Sequence, residues 1–277
     1  MSNSTETLTR NAVATPKVNA PFFNYSNPVF DYEPFPIAVI SPVIEPSLYE
    51  KMVDSYPDLS LFKKMSSLGN MKSVKYSLAE MNNGQNYFEF LAKNPVWKEF
   101  YDWIKSPEFL YRTLEMLSAN NVELGLYNPA GEPKTKPIVD RIKDALTVRK
   151  YGHKLPLSTR FEFSIQPADG GQLRPHTDSP GKIITLVVTM TKPGEWNHAF
   201  GGGTDMMRPK RTEQNFNWVN RYLDYEDVET FKVFDFNPNQ CLIFIKTHNS
   251  WHAVRPMTGE GSNMLRRTLT INIETRK

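Results

Sequence analysis

The spacing of hydrophobic residues is helical in the first half of the chain. Trp97, Phe100, Tyr101 and Ile104 recur at intervals of three and four residues, which places them on one face of a helix. Similar spacing covers most of 85–118, and shorter runs predict a strand over 35–40 and a helix that begins near residue 45. These aromatic faces indicate helices that pack against a core.

After about residue 147 the pattern becomes that of strands. In 160–166, Phe161, Phe163 and Ile165 alternate with polar residues, so an extended chain has one apolar and one polar face. Further strand candidates, separated by Gly, Pro and Asn turns, are 183–190, 231–236, 240–246, 251–254 and 267–273. A helical layer followed by many short strands predicts a mainly β fold, a β-sandwich or jelly roll braced by flanking N-terminal helices.

Breaks in the pattern predict a short tail and one domain. Residues 1–20 are rich in Ser, Thr and Asn, which predicts a flexible tail. A Pro-rich stretch at 128–137 precedes the change of pattern. We therefore expect a single domain over 21–277, in which 21–147 form a helical support region and 148–277 form the jelly-roll core.

Charge and cysteine content narrow the function classes. The net charge of +3 comes from 33 basic and 30 acidic residues spread along the chain, so no concentrated basic tract indicates nucleic-acid binding. The single cysteine, Cys241, lies in an apolar run, cannot form an internal disulfide and is interpreted as a buried thiol. Neither a secretory leader nor a run of about 18 apolar residues is found, so we expect a cytoplasmic protein.

Three residues form a candidate metal site. His176 and Asp178 are two residues apart, so both side chains project from the same face if this stretch is extended. His252, in a later strand candidate, would complete a set of two imidazoles and one carboxylate, which leaves one face of an octahedral metal open to substrate-derived ligands and dioxygen. The HxD spacing alone occurs by chance in many chains, and a surface histidine is its simpler interpretation.

The other histidines offer one rival ligand. His248 lies four residues before His252 and competes with it for the third ligand position. His153 and His198 are interpreted as surface histidines, although His198 lies in a loop from which it could contact a substrate.

The last strand candidate adds a site for an anion. With a period of two, one face of this strand is polar and the other apolar; the polar face comprises Arg266, Thr268, Thr270 and Asn272. Arginine binds carboxylates through two parallel hydrogen bonds, so Arg266 is a candidate clamp for a carboxylate.

These segments resemble the iron(II)- and 2-oxoglutarate-dependent oxygenases, and among them the prolyl-hydroxylase-like branch. The resemblance covers roughly 160–274 and rests on Gln-Pro-Ala-Asp-Gly-Gly-Gln-Leu-Arg-Pro-His176-Thr-Asp178, the apolar strand after it, Ser-Trp-His252-Ala-Val and Arg266-Arg-Thr-Leu-Thr. It implies a double-stranded β-helix core of the cupin-like jelly-roll type. It also implies that His176, Asp178 and His252 bind Fe(II), and that Arg266 binds the distal carboxylate of 2-oxoglutarate.

Two positions depart from the family pattern. Where the family often has tyrosines that bind the cosubstrate, this chain has Gln166 and Thr189. Both side chains can still donate hydrogen bonds, and Thr270 can supply a further hydroxyl, so these three residues are expected to bind 2-oxoglutarate. Arg160 and Lys182 are expected at the mouth, where they either contact the substrate or are ordinary solvated charges.

The resemblance also implies the reaction. Fe(II), 2-oxoglutarate and O2 would hydroxylate an unactivated C–H bond of a polar small molecule or peptidyl side chain, with release of succinate and CO2. The carboxylate of Asp178 favours hydroxylation over halogenation, because halogenating relatives have a small residue at that position. The alternatives are a non-catalytic jelly-roll protein that binds or senses a small acid, and a metal-dependent cupin-type enzyme that does not use 2-oxoglutarate.

Two further segments complete the prediction. The stretch Gly201-Gly-Gly-Thr204 is interpreted as a flexible turn entering a strand, because no phosphate-binding motif surrounds it. Residues 206–227 are inserted between core strands and are a candidate lid over the site.

Overall fold

The computed structural model describes residues 22–65, 74–122, 124, 147–150 and 153–275. The predicted tail over 1–20 and the Pro-rich stretch at 128–137 lie outside these ranges.

Within the described ranges four α-helices precede the strand-rich half. They are α1 (Pro46–Asp54), α2 (Gly84–Lys93), α3 (Pro95–Ile104) and α4 (Pro107–Ala119). The helical run predicted over 85–118 is divided into three, because Pro95 and Pro107 lack an N–H and each occupies the first position of a new helix. The predicted helix near residue 45 is confirmed, and Glu45 caps it by accepting a hydrogen bond from the Leu48 N–H.

None of these described helices combines the length and the apolar character that a membrane crossing requires.

Strands occur in both halves of the chain. In chain order they are β1 (Val29–Asp31), β2 (Ile37–Ile40), β3 (Lys63–Met65), β4 (Lys75–Ala79), β5 (Thr147–Lys150), β6 (His153–Pro167), β7 (Leu173–His176), β8 (Lys182–Thr189), β9 (Thr204–Pro209), β10 (Val228–Phe234), β11 (Cys241–Ile245), β12 (His252–Val254) and β13 (Leu265–Thr275). The first four belong to the half that the sequence predicts as a helical support region, so that region also contributes strands.

Two antiparallel sheets form the core. In the described part of the chain the major sheet has the order β1-β2-β11-β8-β13-β6-β4-β3, with β5 paired to β6, and the minor sheet has the order β10-β9-β12-β7. Of the eight strands from β6 to β13, four belong to each sheet. This distribution is that of a jelly roll, and the predicted mainly β class with flanking helices is confirmed.

The major sheet separates the main hydrophobic core from an interior between the sheets that is apolar in part, around Phe244 and Met206, and polar elsewhere. Phe161 and Phe163 on β6 and Leu269 on β13 face the helices, where Trp97 packs edge-on against Phe163 at a ring-centroid distance of 4.8 Å. Since side chains alternate along a strand, the opposite faces of β6 and β13 are turned toward the minor sheet. The predicted metal ligands lie between the two sheets, on this polar side.

Candidate metal centre

Two neighbouring strands of the minor sheet bring the predicted histidine ligands together. His176 ends β7 and His252 begins β12, and they are direct partners in the antiparallel register, with ring centroids 4.3 Å apart. The strand does not continue through Asp178, whose φ is +68°. The condition under which the sequence places both side chains on one face, an extended stretch from His176 to Asp178, is therefore not met. A left-handed turn, unusual for a residue other than glycine, directs the carboxylate to the imidazoles instead.

The hydrogen bonds of the imidazoles leave one nitrogen of each ring free for a metal. His176 Nδ1 lies 2.8 Å from the Arg174 carbonyl oxygen, and His252 Nδ1 lies 2.9 Å from the Ser250 carbonyl oxygen. Carbonyl oxygens only accept hydrogen bonds, so each Nδ1 carries the hydrogen and each Nε2 keeps its lone pair. Burial, together with the neighbouring His176, lowers the pKa of His252 to about 3, which keeps its ring neutral at physiological pH.

The carboxylate is also fixed in place. Lys182 Nζ lies 2.5 Å from Asp178 Oδ1, and the Thr185 hydroxyl donates to Asp178 Oδ2 at 2.9 Å. Burial raises the pKa of Asp178, but the Lys182 ammonium and the imidazoles outweigh burial and hold the pKa well below its usual range. Asp178 is therefore an anionic ligand.

The donor set fits a ferrous ion. Asp178 oxygens lie 3.7 Å from His176 Nε2 and 3.9 Å from His252 Nε2, and one ligand atom from each residue falls within 4.8 Å of the others. Two imidazole nitrogens and one carboxylate oxygen on one side of a metal are typical of non-haem Fe(II) sites. Phe244 stacks on His252 with ring centroids 4.7 Å apart and limits the movement of that ligand.

The rival histidine lies outside this group. His248 is exposed and packs against Phe216 with ring centroids 5.0 Å apart. His198 is also exposed, in the loop where the sequence predicts it, whereas the side chain of His153 lies outside the described part of the chain.

The ligands open into a cavity of about 250 Å³ between the two sheets. Of the residues that the sequence predicts to bind cosubstrate or substrate, those that line this cavity are Gln166, Arg266, Thr270, Arg160 and Lys182. Thr189 is buried but does not line it. The β8 residues Thr185 and Val187 line the cavity as well, and the period of two along β8 could have indicated them.

Arg266 is a buried cation in the cavity wall. Its side chain donates from Nε to the Gly202 carbonyl oxygen at 2.6 Å and from Nη1 to Gln166 Oε1 at 3.0 Å, and its guanidinium lies 4.6 Å from the Phe236 ring centroid. Burial lowers its pKa to about 10, so it stays charged at neutral pH. It forms no ion pair with any residue in the described ranges.

An unpaired buried charge is costly, and this environment therefore suits a bound carboxylate. The neighbouring Gln166 offers a second unused group, because its buried Nε2 has no hydrogen-bond partner among the described residues. An amide N–H and a guanidinium beside one another match the needs of a single carboxylate ligand.

The part of the cavity wall that β4 and β6 contribute contains a further ion pair. Lys75 pairs with Glu162, and the Ser164 hydroxyl donates to the same carboxylate at 2.9 Å. Burial raises the pKa of Glu162, but the Lys75 charge and these hydrogen bonds together lower it to about 2. Sequence reasoning missed Lys75, because it lies on β4 in the half predicted to be helical.

Part of the predicted lid is a core strand. Residues 206–209 belong to β9, which pairs with β10 and β12, so only residues 210–227 remain as a candidate lid. Within them Asn217 is fully buried and bonds through its amide to the backbone N–H and carbonyl of Arg221. Tyr222 stacks on His176 with ring centroids 5.4 Å apart, and Asn220 and Tyr222 both line the cavity.

Two buried histidines and an aspartate in a jelly-roll cavity, which an arginine without an ion-pair partner in the described ranges also lines, match the site of a non-haem iron oxygenase. Residues 161–274 match the family model described as the 2OG-Fe(II) oxygenase superfamily, and this range includes all three ligands and Arg266. The segment that contains the metal centre is therefore similar to this superfamily. The predicted enzyme class and its cofactors, Fe(II), 2-oxoglutarate and O2, are thereby confirmed.

Solved structures similar to this chain include a prolyl-4-hydroxylase from Pseudomonas putida, at 11% identity and a TM-score of 0.44, covering 87% of this chain and 93% of that one. Another is a 2OG-Fe(II) oxygenase family oxidoreductase from Burkholderia pseudomallei, at 10% identity and a TM-score of 0.43, covering 86% and 84%. No curated protein matches the sequence.

Proposed function

We propose that this oxygenase hydroxylates an unactivated C–H bond of a polar small molecule or peptidyl side chain and converts 2-oxoglutarate and O2 into succinate and CO2. The observation that supports this most strongly is the placement of Arg266, a buried guanidinium without an anionic partner in the described ranges, in the same cavity as the three ligands. The cosubstrate 2-oxoglutarate requires both the metal ligands and the guanidinium, because one of its ends chelates the metal and the other is a carboxylate.

The predicted site residues would have distinct roles in binding the metal and the cosubstrate. His176, Asp178 and His252 would hold Fe(II), which when bound together with 2-oxoglutarate supplies the oxidising chemistry. Arg266 would bind the distal carboxylate of 2-oxoglutarate, and Gln166 and Thr270 would donate hydrogen bonds to it. We also keep Thr189 as a proposed cosubstrate contact, to be tested against Thr270.

The cavity wall around the metal ligands would exclude bulk water and select the substrate by its polarity. Phe244 and Tyr222 cover the faces of the two imidazoles and keep bulk water from them. Most of the remaining lining residues are polar or charged, including Arg160, Glu162 and Lys182, and only Leu173, Val187 and Val254 of the described lining are aliphatic. This balance favours a polar substrate over a hydrocarbon. An apolar substrate would leave these groups desolvated and without partners.

Anaerobic addition of Fe(II) and 2-oxoglutarate tests the cosubstrate. The protein should develop the weak visible charge-transfer absorption of the chelated metal, and admission of O2 should yield succinate. Asp178→Ala should lose both signals, whereas Asp102→Ala, an exposed change on α3, should keep them. A folded, iron-loaded protein without this absorption would be a binding protein or a metal enzyme of another type, and the proposal would fail.

A further inference from the structure

Lys182 differs from the other basic residues of the described cavity lining in its acidic partner. Lys75 pairs with Glu162 and Arg160 pairs with Glu274, so each of these basic residues has an acidic partner. Under the proposed function Arg266 binds the cosubstrate. The other basic residue in the described cavity lining is Lys182, and its partner is the metal ligand Asp178.

One carboxylate cannot neutralise both a ferrous ion and an ammonium group. Fe(II) brings two positive charges, which Asp178 and the chelating carboxylate of 2-oxoglutarate balance between them. The other acid in the described lining, Glu162, is already held by Lys75 and Ser164. Glu162 is close enough to interact with Lys182, but its charge is already balanced by Lys75, so the loaded cavity keeps one positive charge in excess at Lys182.

The position of Lys182 makes this charge costly. Its side chain is 17% exposed, so water solvates the ammonium only in part. It begins β8 and lines the cavity into which the metal ligands point. An anion that enters the cavity would give Lys182 a new ion-pair partner, whereas Lys182 would repel a cationic substrate.

A second group in the same cavity lacks a partner. Asn220 Oδ1 is buried and accepts no hydrogen bond from any described residue. The turn that presents it has a φ of +56° at Asn220 and is closed by the two hydrogen bonds between Asn217 and Arg221. A fixed acceptor without a protein partner in a ligand cavity suits an N–H or O–H of a bound ligand.

We propose that the substrate bears an anionic group, a carboxylate or a phosphate, that pairs with Lys182, together with a hydrogen-bond donor that Asn220 accepts. Hydroxy acids, amino acids, acidic peptidyl side chains and phosphate monoesters share this chemistry. The inference rests on the proposed function, because it is metal and cosubstrate binding that withdraws Asp178 from Lys182.

Anion binding to the loaded protein tests the inference without knowledge of the substrate. The protein is loaded with Mn(II) and saturating 2-oxoglutarate in the absence of O2. Its Tm is then followed during additions of acetate, methyl phosphate or the uncharged acetamide at constant ionic strength. Acetate or methyl phosphate should raise the Tm in a saturable manner, and acetamide should not. Whichever anion binds more tightly identifies the carboxylate or the phosphate.

Three variants test whether the anion binds at Lys182. Lys182→Met should weaken anion binding by about tenfold or more, because it removes the ion-pair partner. Lys182→Arg keeps the charge and should retain binding, and Lys98→Met removes an equal charge from the surface of α3 and should behave as wild type. Without Mn(II) the wild type should bind these anions more weakly, since Asp178 then still neutralises Lys182.

Two results would overturn the inference: the absence of saturable anion binding to the loaded wild type, or equal anion affinity in Lys182→Met. The Mn(II)-dependent Tm shift caused by 2-oxoglutarate alone is measured first. Its absence would contradict the proposed function as well, whereas a normal shift followed by failed anion binding would contradict only the role of Lys182.

Discussion

Arg266 donates from Nε to the carbonyl oxygen of Gly202 at 2.6 Å, which connects the last core strand to the turn before β9. Gly202 has a φ of +86°, and a Cβ at this position would lie 2.8 Å from the Trp196 ring. Only glycine fits this backbone without strain. The Gly-rich turn predicted before β9 is thus confirmed, and it also orients the guanidinium.

Replacement of Arg266 should raise the 2-oxoglutarate requirement without loss of the metal. Lysine cannot form two parallel hydrogen bonds, so Arg266→Lys should weaken 2-oxoglutarate binding about tenfold, and Arg266→Met should weaken it further. Titration of the Fe(II)–2-oxoglutarate absorption measures this. Arg267→Lys, on the opposite face of β13 where Arg267 pairs with Glu195, is the control. Loss of Mn(II) binding in Arg266→Lys would contradict the assigned role.

A negative charge at position 166 should inhibit cosubstrate binding. Gln166→Glu changes little in shape but places a carboxylate beside Arg266, where it would occupy the site of the cosubstrate carboxylate. We expect 2-oxoglutarate affinity to fall about tenfold or more, with metal affinity unchanged. Unchanged 2-oxoglutarate binding would show that the distal carboxylate binds elsewhere.

Substitution of the two threonines that are proposed to bind 2-oxoglutarate, Thr270 and Thr189, should affect its affinity differently. Thr270 lines the cavity and Thr189 does not, so Thr270→Val should weaken 2-oxoglutarate binding by the value of one hydrogen bond, about fivefold. If Thr189→Val weakens binding to the same extent, the role that the sequence predicts for Thr189 is supported. The comparison uses equal changes in volume and polarity, so each threonine is the control for the other.

Alanine substitutions of His252 and His248 should have different effects on metal affinity. His252→Ala removes a buried ligand and should lower Mn(II) affinity by about a hundredfold or more. His248→Ala removes an exposed ring that contacts Phe216 and should leave the affinity unchanged. Calorimetric titration with Mn(II) measures both. The reverse result would transfer the third ligand position to His248.

The acid stability of the protein should depend on Glu162. Its folded-state pKa of about 2 lies below its ordinary value of 4.5, so the ion pair with Lys75 stabilises the fold above pH 4.5 and loses this effect as the pH falls toward 2. Between pH 4.5 and pH 2 the unfolding free energy of Glu162→Gln should therefore fall by about 2 kcal/mol less than that of the wild type.

Chemical denaturation at several pH values measures the slope. Glu89→Gln, an exposed change on α2, should follow the wild type. If Glu162→Gln has the same slope as the wild type, the ion pair contributes nothing to acid stability.

Much of the site could be predicted from local sequence. A strand repeats every two residues, so the polar faces of β6 and β13 and the position of Arg266 follow from the alternation around Phe161 and Leu269. The identities of His176, Asp178 and His252 follow from the few residue types that bind Fe(II). The strand alternation and the spacing of His176 and Asp178 depend on neighbours in the chain, so the sequence alone was enough to predict them. The choice of His252 over His248 came from the family resemblance.

The set of distant residues that share the cavity becomes visible in the folded structure alone. Lys75 reaches Glu162 because β4 pairs with β6, and Asn220 reaches the ligands because an insertion folds back against β7. Such pairings depend on long-range strand order, which no local periodicity encodes. The left-handed turn at Asp178 and the lack of an anionic partner for Arg266 in the described ranges are equally properties of the assembled interior, where burial sets the cost of each charge.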